Sequence, residues 1–240
     1  MRNVIQHALH SRGIEMRTLD APTRSFSRGL RLLKSVVSPT TVIDIGVATG
    51  TPNLYEHFPP GNHRYMLVEA NPLFKDDLDK LRARLDAVAI GAFCGSEPGQ
   101  VELKIYSDPR KASAYVTTRG LAVGSTAIVP VQTLDNLVAE HCLIPPYLIK
   151  LDVEGAEVDV IRGARNTLLN TDAVIAEASV LPRFNGGAGF ADLVGAMDES
   201  GFAVFDILSG VNHPKTGYLY QVDLVFVRAD ARFRSSNINF

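Results

Sequence analysis

The segment "IKLDVEGAEVDVI" (149–161) gathers four carboxylates around one glycine. An apolar, strand-like run stops at Asp152, and Glu154, Gly155, Glu157 and Asp159 follow. Like charges repel, so this collection needs a cation, a proton or a hydroxyl donor among its members. Gly155 permits a sharp exit into a helix. Glu157 and Asp159 then fall in its first turn, where negative charge suits the positive end of the helix dipole. Asp152 and Glu154 sit at the turn itself, at the carboxyl end of a strand, the edge where open α/β sheets bind ligands. That makes them candidates for a general base or its electrostatic partner. Glu177, which ends the strand in "AEAS", and His213, in the link "GVNHPKTGY", are the other catalytic candidates at this edge. Each has a plainer reading: Glu177 pairs with Arg183 or a backbone amide, and His213 is an ordinary loop histidine. Asp152, Glu154 and Glu177 offer the oxygen ligands that a hard cation takes, so Mg²⁺ is compatible with the sequence without being required. No Cys/His cluster calls for a transition metal.

A second stretch, "VIDIGVATGT" (42–51), ends a strand in Asp44-Ile45-Gly46 and continues Val47-Ala48-Thr49-Gly50. Glycines at 46 and 50 let backbone approach a ligand closely. A dinucleotide fingerprint would need glycines at 46, 48 and 51, and positions 48 and 51 are Ala and Thr. An acid two residues before the first glycine, with glycines four apart, resembles instead the cofactor loop of S-adenosylmethionine-dependent methyltransferases, which accommodates a cationic sulfonium and an amino-acid tail rather than a pyrophosphate. Glu69 ends the next strand, where a carboxylate can accept two hydrogen bonds from ribose hydroxyls. Asn71 follows it in "LVEANP".

The elements that must position these residues alternate. "TVIDIG", "YMLVEA" and "AVAIG" read as buried strands, with the helix "PLFKDDLDKLRARL" between the second and third. "GQVELKIYS" and "STAIVPVQ" read as extra strands of an insertion near 96–131. The insertion also contains Ser113, Tyr115 and Arg119, and either covers the cofactor or forms a surface loop. "TLDNLVAEH" starts a helix capped by Thr133. "PYLIKLD", "AVIAEAS", "FAVFDIL" and "YQVDLVFVR" supply further strands, with helices at 156–169 and 190–200. Such alternation predicts a doubly wound α/β sheet, mostly parallel, with helices on both faces. The short, turn-rich link before the last strand makes that strand antiparallel, at or near the edge. Within that strand, Asp223 lies between apolar neighbours and needs a partner. Residues 1–38 read as a helical segment, 39–230 as the main domain and 231–240 as a polar, frayed tail.

Composition narrows the function. The 240 residues are 46% hydrophobic and 21% charged with a formal net charge of −2, which suits one globular domain and argues against a nucleic-acid surface. Two cysteines, Cys94 and Cys142, make no disulfide framework. No secretory leader or membrane-length apolar run is present, so a cytoplasmic protein is expected.

With these pieces in place, the chain resembles the FkbM family of S-adenosylmethionine (SAM)-dependent methyltransferases. "TVIDIGVATGT", "LVEANP", "VPVQTLDNL", "LIKLDVEGAEVDVIRGA" and "YQVDLVFVR" carry the resemblance, and the fourth is the most specific. The resemblance implies a class I methyltransferase fold and O-methylation of natural products or sugars. It implies SAM contacts for Asp44, Gly46, Gly50 and Glu69, and a functional position for Asp152 and Glu154. Ala48, Thr49, Asn71 and Asp152 complete the expected cofactor contacts. In many members Ala-Asn stands where Val47 and Thr49 flank Ala48; Thr49 keeps a hydrogen-bonding group. The expected partner is a small hydroxylated acceptor, with no nucleic acid and no membrane. Two other readings stay open: a nucleotide-dependent oxidoreductase, and a SAM-binding protein without chemistry.

Overall fold

The computed structural model describes residues 25–118 and 120–235. The expected helical segment before residue 25, and Arg119 of the insertion, lie outside the described residues. Along the chain come α1 (Phe26–Lys34), β1 (Thr41–Ile45), α2 (Pro52–His57), β2 (Arg64–Val68), α3 (Lys75–Leu85) and β3 (Ala87–Ile90). The insertion contributes β4 (Phe93–Cys94), β5 (Gly99–Tyr106), β6 (Val116–Thr117) and β7 (Val123–Gln132). Then follow α4 (Leu134–Glu140), β8 (Tyr147–Leu151), α5 (Glu157–Arg162), α6 (Arg165–Leu168) and β9 (Thr171–Ser179). The chain continues through β10 (Phe184–Asn185), α7 (Phe190–Glu199), β11 (Phe202–Asn212), β12 (Leu219–Arg228) and α8 (Arg232–Ser235).

The main sheet has the order β11-β12-β9-β8-β1-β2-β3. β9, β8, β1, β2 and β3 pair in parallel, while β12 runs antiparallel to both β9 and β11. Between β1 and β8 the winding changes direction, and a crevice opens at such a point on the carboxyl edge. Helices cover both faces. Leu30, Leu54, Leu78 and Leu81 of α1, α2 and α3 pack on one side. Leu134, Val160, Leu193 and Met197 of α4, α5 and α7 pack on the other. Burial from both faces is why β1 and β8 are apolar almost throughout.

Local signals explain most boundaries. Thr133 Oγ1 accepts from Asn136 N at 3.2 Å and caps α4 as expected. α3 buries Leu78, Leu81 and Leu85 along one stripe and stops at Asp86, in the left-handed region at φ 50°. Three expectations need correction. β3 is half-buried rather than buried, because it forms a sheet edge. The single helix expected at 156–169 is broken into α5 and α6 at Gly163. There the chain passes so close to Gly95 that a Cβ would lie 2.1 Å from the Gly95 carbonyl oxygen. The tail is not wholly frayed, since α8 sets Phe233 edge-on against Phe205. β4, β5 and β7 form a separate small sheet that packs Phe93, Leu103, Ile105 and Val129 against Ala156. Among the described residues no helix is long and apolar enough to cross a membrane.

Candidate active site

The loop after β1 is stapled on both sides. Gly46 N donates to Val68 O at 2.9 Å, and Asp152 N donates to Ile45 O at 3.0 Å. Gly46, Ala48 and Gly50 all take positive φ, so alternate residues turn the chain back on itself. Glu69 holds this loop against the end of β2. Its Oε2 accepts from Ala48 N at 2.6 Å and its Oε1 from Asn71 N at 2.7 Å. Burial pushes the Glu69 carboxyl above its ordinary pKa, and those two N–H donors oppose the shift. Asn71 Oδ1 in turn accepts from Leu73 N, while its Nδ2 donates to Pro109 O of the insertion at 2.9 Å. The glycines were read as making room for a ligand. In the structure the missing Cβ of Gly46 makes room for the Asp152 carbonyl, and that of Gly50 for the Leu81 and Tyr55 side chains.

Beneath the loop lies a charged cluster whose cation, Lys150, the sequence patterns did not single out. Lys150 on β8 is paired in register with Asp44 on β1, so the two side chains share a face. Lys150 Nζ lies 3.2 Å from Asp152 Oδ2 and 3.6 Å from Asp44 Oδ1. Burial alone would favour loss of its proton, but the carboxylates of Asp152, Asp44 and Asp223 outweigh burial and raise its pKa. Lys150 is therefore an ammonium. Tyr55 Oη donates to Asp44 Oδ2 at 2.7 Å. Asp44, expected as a cofactor contact, is 0% exposed, does not line the cavity, and serves as a counter-ion of Lys150.

Glu154 and Glu177 meet at a second cation. Arg183, its side chain 1% exposed, directs Nη1 to Glu177 and Nη2 to Glu154. Its guanidinium lies 5.4 Å from the ring centroids of both Phe184 and Tyr220. The other oxygen of Glu154 is 3.1 Å from Lys111 Nζ, and that of Glu177 accepts from Gln221 Nε2. Asp152, Glu154 and Glu177 do place ligand atoms within 4.8 Å of one another. Yet Glu154 and Glu177 are engaged on both oxygens, and Asp152 is engaged by Lys150. The donor set therefore does not fit a divalent ion while Arg183 stays in place.

The insertion roofs this edge. Ser113 Oγ donates to Glu154 O at 2.7 Å, and Tyr115 Oη donates to Asp159. β6 pairs with β10, and Thr118 N donates to Arg183 O at 2.9 Å. The result is a cavity of ≈ 390 Å³ over the β1–β8 crevice. Phe74, Ala92, Phe93 and Leu103, the 46–51 loop and Glu69, and Lys150, Asp152, Glu154 and Glu177 all line it.

A model of the methyltransferase FkbM domain matches residues 44–204, well over half of the chain. The chain belongs to the FkbM methyltransferase family. Its members take their methyl group from SAM, so the nucleotide-dependent oxidoreductase reading falls away. No curated protein sequence matches the chain. Solved structures of similar fold include an O-methyltransferase from Bacillus cereus in complex with S-adenosylhomocysteine, at 14% identity and TM-score 0.49 over 94% of this chain and 90% of that one. Fibrillarin of Aeropyrum pernix with natively bound SAM matches at 13% identity and TM-score 0.46, over 83% and 76%. A precorrin-6y C5,15-methyltransferase from Geobacter metallireducens matches at 14% and 0.43, over 88% and 91%. The cavity lining suits the family's cofactor on its own chemistry: apolar side chains that a flat base can pack on, the Glu69 carboxylate, which can accept from hydroxyls, and the glycine-containing 46–51 loop.

Other expected residues of this FkbM protein lie elsewhere. His213 sits in the β11–β12 turn, where Nδ1 is 3.1 Å from Thr216 Oγ1. It does not line the cavity. Asp223 finds its partner in Ser209, whose hydroxyl donates to it across the β11–β12 pair. Glu157, expected only to complement the helix dipole, is 3% exposed. It does begin α5, but Gly155 N donates to its Oε1 at 3.3 Å, and burial raises its carboxyl from 4.5 to about 7. Between those values the unfolded chain has lost the proton and the folded protein keeps it. Stability that is fully present below about pH 4.5 is therefore lost as pH rises through about 7, in all about 3 kcal/mol. Glu157→Gln cannot ionise. It is expected to match wild type near about pH 4.5 and to exceed it by about 3 kcal/mol near about pH 8 in urea unfolding. Wild-type and variant stabilities that run parallel across this range would contradict the assignment.

Proposed function

We propose that this protein methylates a hydroxyl of a small polyhydroxylated acceptor, a sugar or a natural product, with Asp152 as general base. One observation carries the reading. Of the three acids in the cavity lining, Asp152 has a side chain that is 40% exposed, whereas those of Glu154 and Glu177 are 6% and 9% exposed and held by Arg183. SAM, when bound, supplies an electrophilic methyl on a good leaving group. The task left to the protein is to orient the acceptor oxygen and remove its proton. Asp152 accepts that proton. The Lys150 ammonium beside it fixes the carboxylate and donates toward oxygen that gains negative charge. The deciding experiment is a mass-shift screen with SAM and hydroxylated small molecules, looking for a gain of one methylene unit. SAM binding with no product across sugars, polyols and macrolide alcohols would favour a binding protein without chemistry.

On the cofactor side, Glu69 is assigned to the ribose hydroxyls. Its carboxylate retains lone pairs beyond those given to Ala48 and Asn71. Glu69→Ala removes charge-assisted hydrogen bonds and the clamp on the loop. SAM and S-adenosylhomocysteine are expected to bind about 10–10²-fold more weakly by calorimetry. Unchanged affinity in a folded Glu69→Ala protein would remove Glu69 from the site.

A further inference from the structure

Arg183 joins three parts of the molecule that are distant in sequence. Its side chain bridges Glu154, on the turn after β8, and Glu177, at the end of β9. Its carbonyl accepts from Thr118 N and from Thr117 Oγ1 of the roofing insertion, at 2.9 and 3.2 Å. Its own segment continues into β10, which pairs with β6 of that insertion. Glu154 stands in the left-handed region at φ 48°, an unfavourable place for a non-glycine residue unless its surroundings hold it there. The Ser113 hydroxyl on its carbonyl and the cations on its carboxylate do so.

We propose that Arg183 is a positioning residue, the built-in cation of the acceptor wall. Two carboxylates this close cannot both stay ionised in a buried site without a positive charge between them. The guanidinium supplies that charge in a planar fork that also sets their spacing, which a single ammonium cannot do. Glu154 and Glu177 thereby remain fixed, charged groups in the cavity lining, while Asp152 stays open for chemistry. Arg183 thus occupies the place a divalent cation would take among these three acids, and its backbone couples that place to closure of the roof. The proposal rests on the methyltransferase reading only for the word acceptor; the charge arrangement stands without it.

The test uses the full chain with Arg183→Met, Arg183→Lys and the charge-balanced triple Arg183→Met/Glu154→Gln/Glu177→Gln. SAM affinity by calorimetry checks the methyltransferase reading and is expected to change less than about threefold in all. Loss of SAM binding by wild type itself would defeat that reading and leave the Arg183 question intact. In Arg183→Met, Glu154 and Glu177 are expected to share a proton near neutral pH, seen as a new pH dependence of melting temperature that the triple variant lacks. The same variant is expected to bind one Mn²⁺ by paramagnetic resonance, as wild type and the triple do not. If Arg183→Met does not fold but the triple does, the charge-balancing role is upheld by that contrast. On an acceptor returned by the screen, Arg183→Lys should lose about 10–10³-fold in kcat, with the KM for SAM unchanged. A folded Arg183→Met with neither new pH dependence nor Mn²⁺ binding would overturn the proposal. So would a triple variant that fails to fold.

Discussion

Asp152→Asn is expected to lower the single-turnover rate of methyl transfer by about 10²–10⁴-fold at saturating SAM, with SAM affinity changed less than about threefold. The substitution keeps the size of the side chain and an oxygen for Lys150 Nζ, now 3.2 Å away. Lys150 also keeps Asp44 as a counter-ion, so the buried ammonium is not stranded. What is lost is the proton acceptor. Proton removal is expected to run with methyl transfer rather than ahead of it. Glu154→Gln is a contrasting case. It leaves Arg183 and Lys111 with one negative charge fewer in a buried network, so its effect is expected first in stability. A near-normal rate for Asp152→Asn, with Glu154→Gln folded and inactive, would move the base to Glu154.

Much of this arrangement was legible in the chain because local patterns and topology agree. Apolar runs ending in Asp44, Glu69, Asp152 and Glu177 place acids at one sheet edge once the strands are parallel. The roles of those acids were less legible, because each depends on a partner distant in sequence. Asp44 is buried by Tyr55 and Lys150, and nothing at positions 42–46 distinguishes a floor residue from a wall residue. Lys150 could have been found: a lysine in an otherwise apolar central strand must meet a carboxylate. Arg183 was visible only as one possible partner of Glu177. That it also reaches Glu154 depends on how the loop after β9 folds back over the turn after β8. Glu157 followed the helix-dipole rule in position but not in exposure, since the Gly155 turn carries it inward. His213 was placed on the correct edge by topology, yet the hairpin carries it beyond the cavity.

Gly46→Ala is expected to destabilise the fold by more than about 4 kcal/mol, and to abolish SAM binding as a consequence rather than by blocking the cofactor. An alanine Cβ would stand 1.8 Å from the Asp152 carbonyl oxygen. That oxygen is backbone, and neither side can retreat. Asp152 N is bonded to Ile45 O, and Gly46 N to Val68 O, so movement would break the register of three central strands at the carboxyl edge. The φ of +82° adds the strain of a left-handed residue. Gly61 separates the two contributions. It stands at φ +91° with nothing within 4 Å of a Cβ, so Gly61→Ala carries backbone strain alone, about 1 kcal/mol or slightly more. Gly50→Ala falls between them, because its nearest neighbours at 3.1–3.2 Å are the Leu81 and Tyr55 side chains, which can shift. Urea unfolding of the three variants should therefore rank Gly46 far above Gly50, and Gly50 above Gly61. If Gly46→Ala unfolds with Gly61→Ala yet fails to bind SAM, then the glycine makes room for the cofactor, and the close packing of Gly46 against Asp152 is not what requires it.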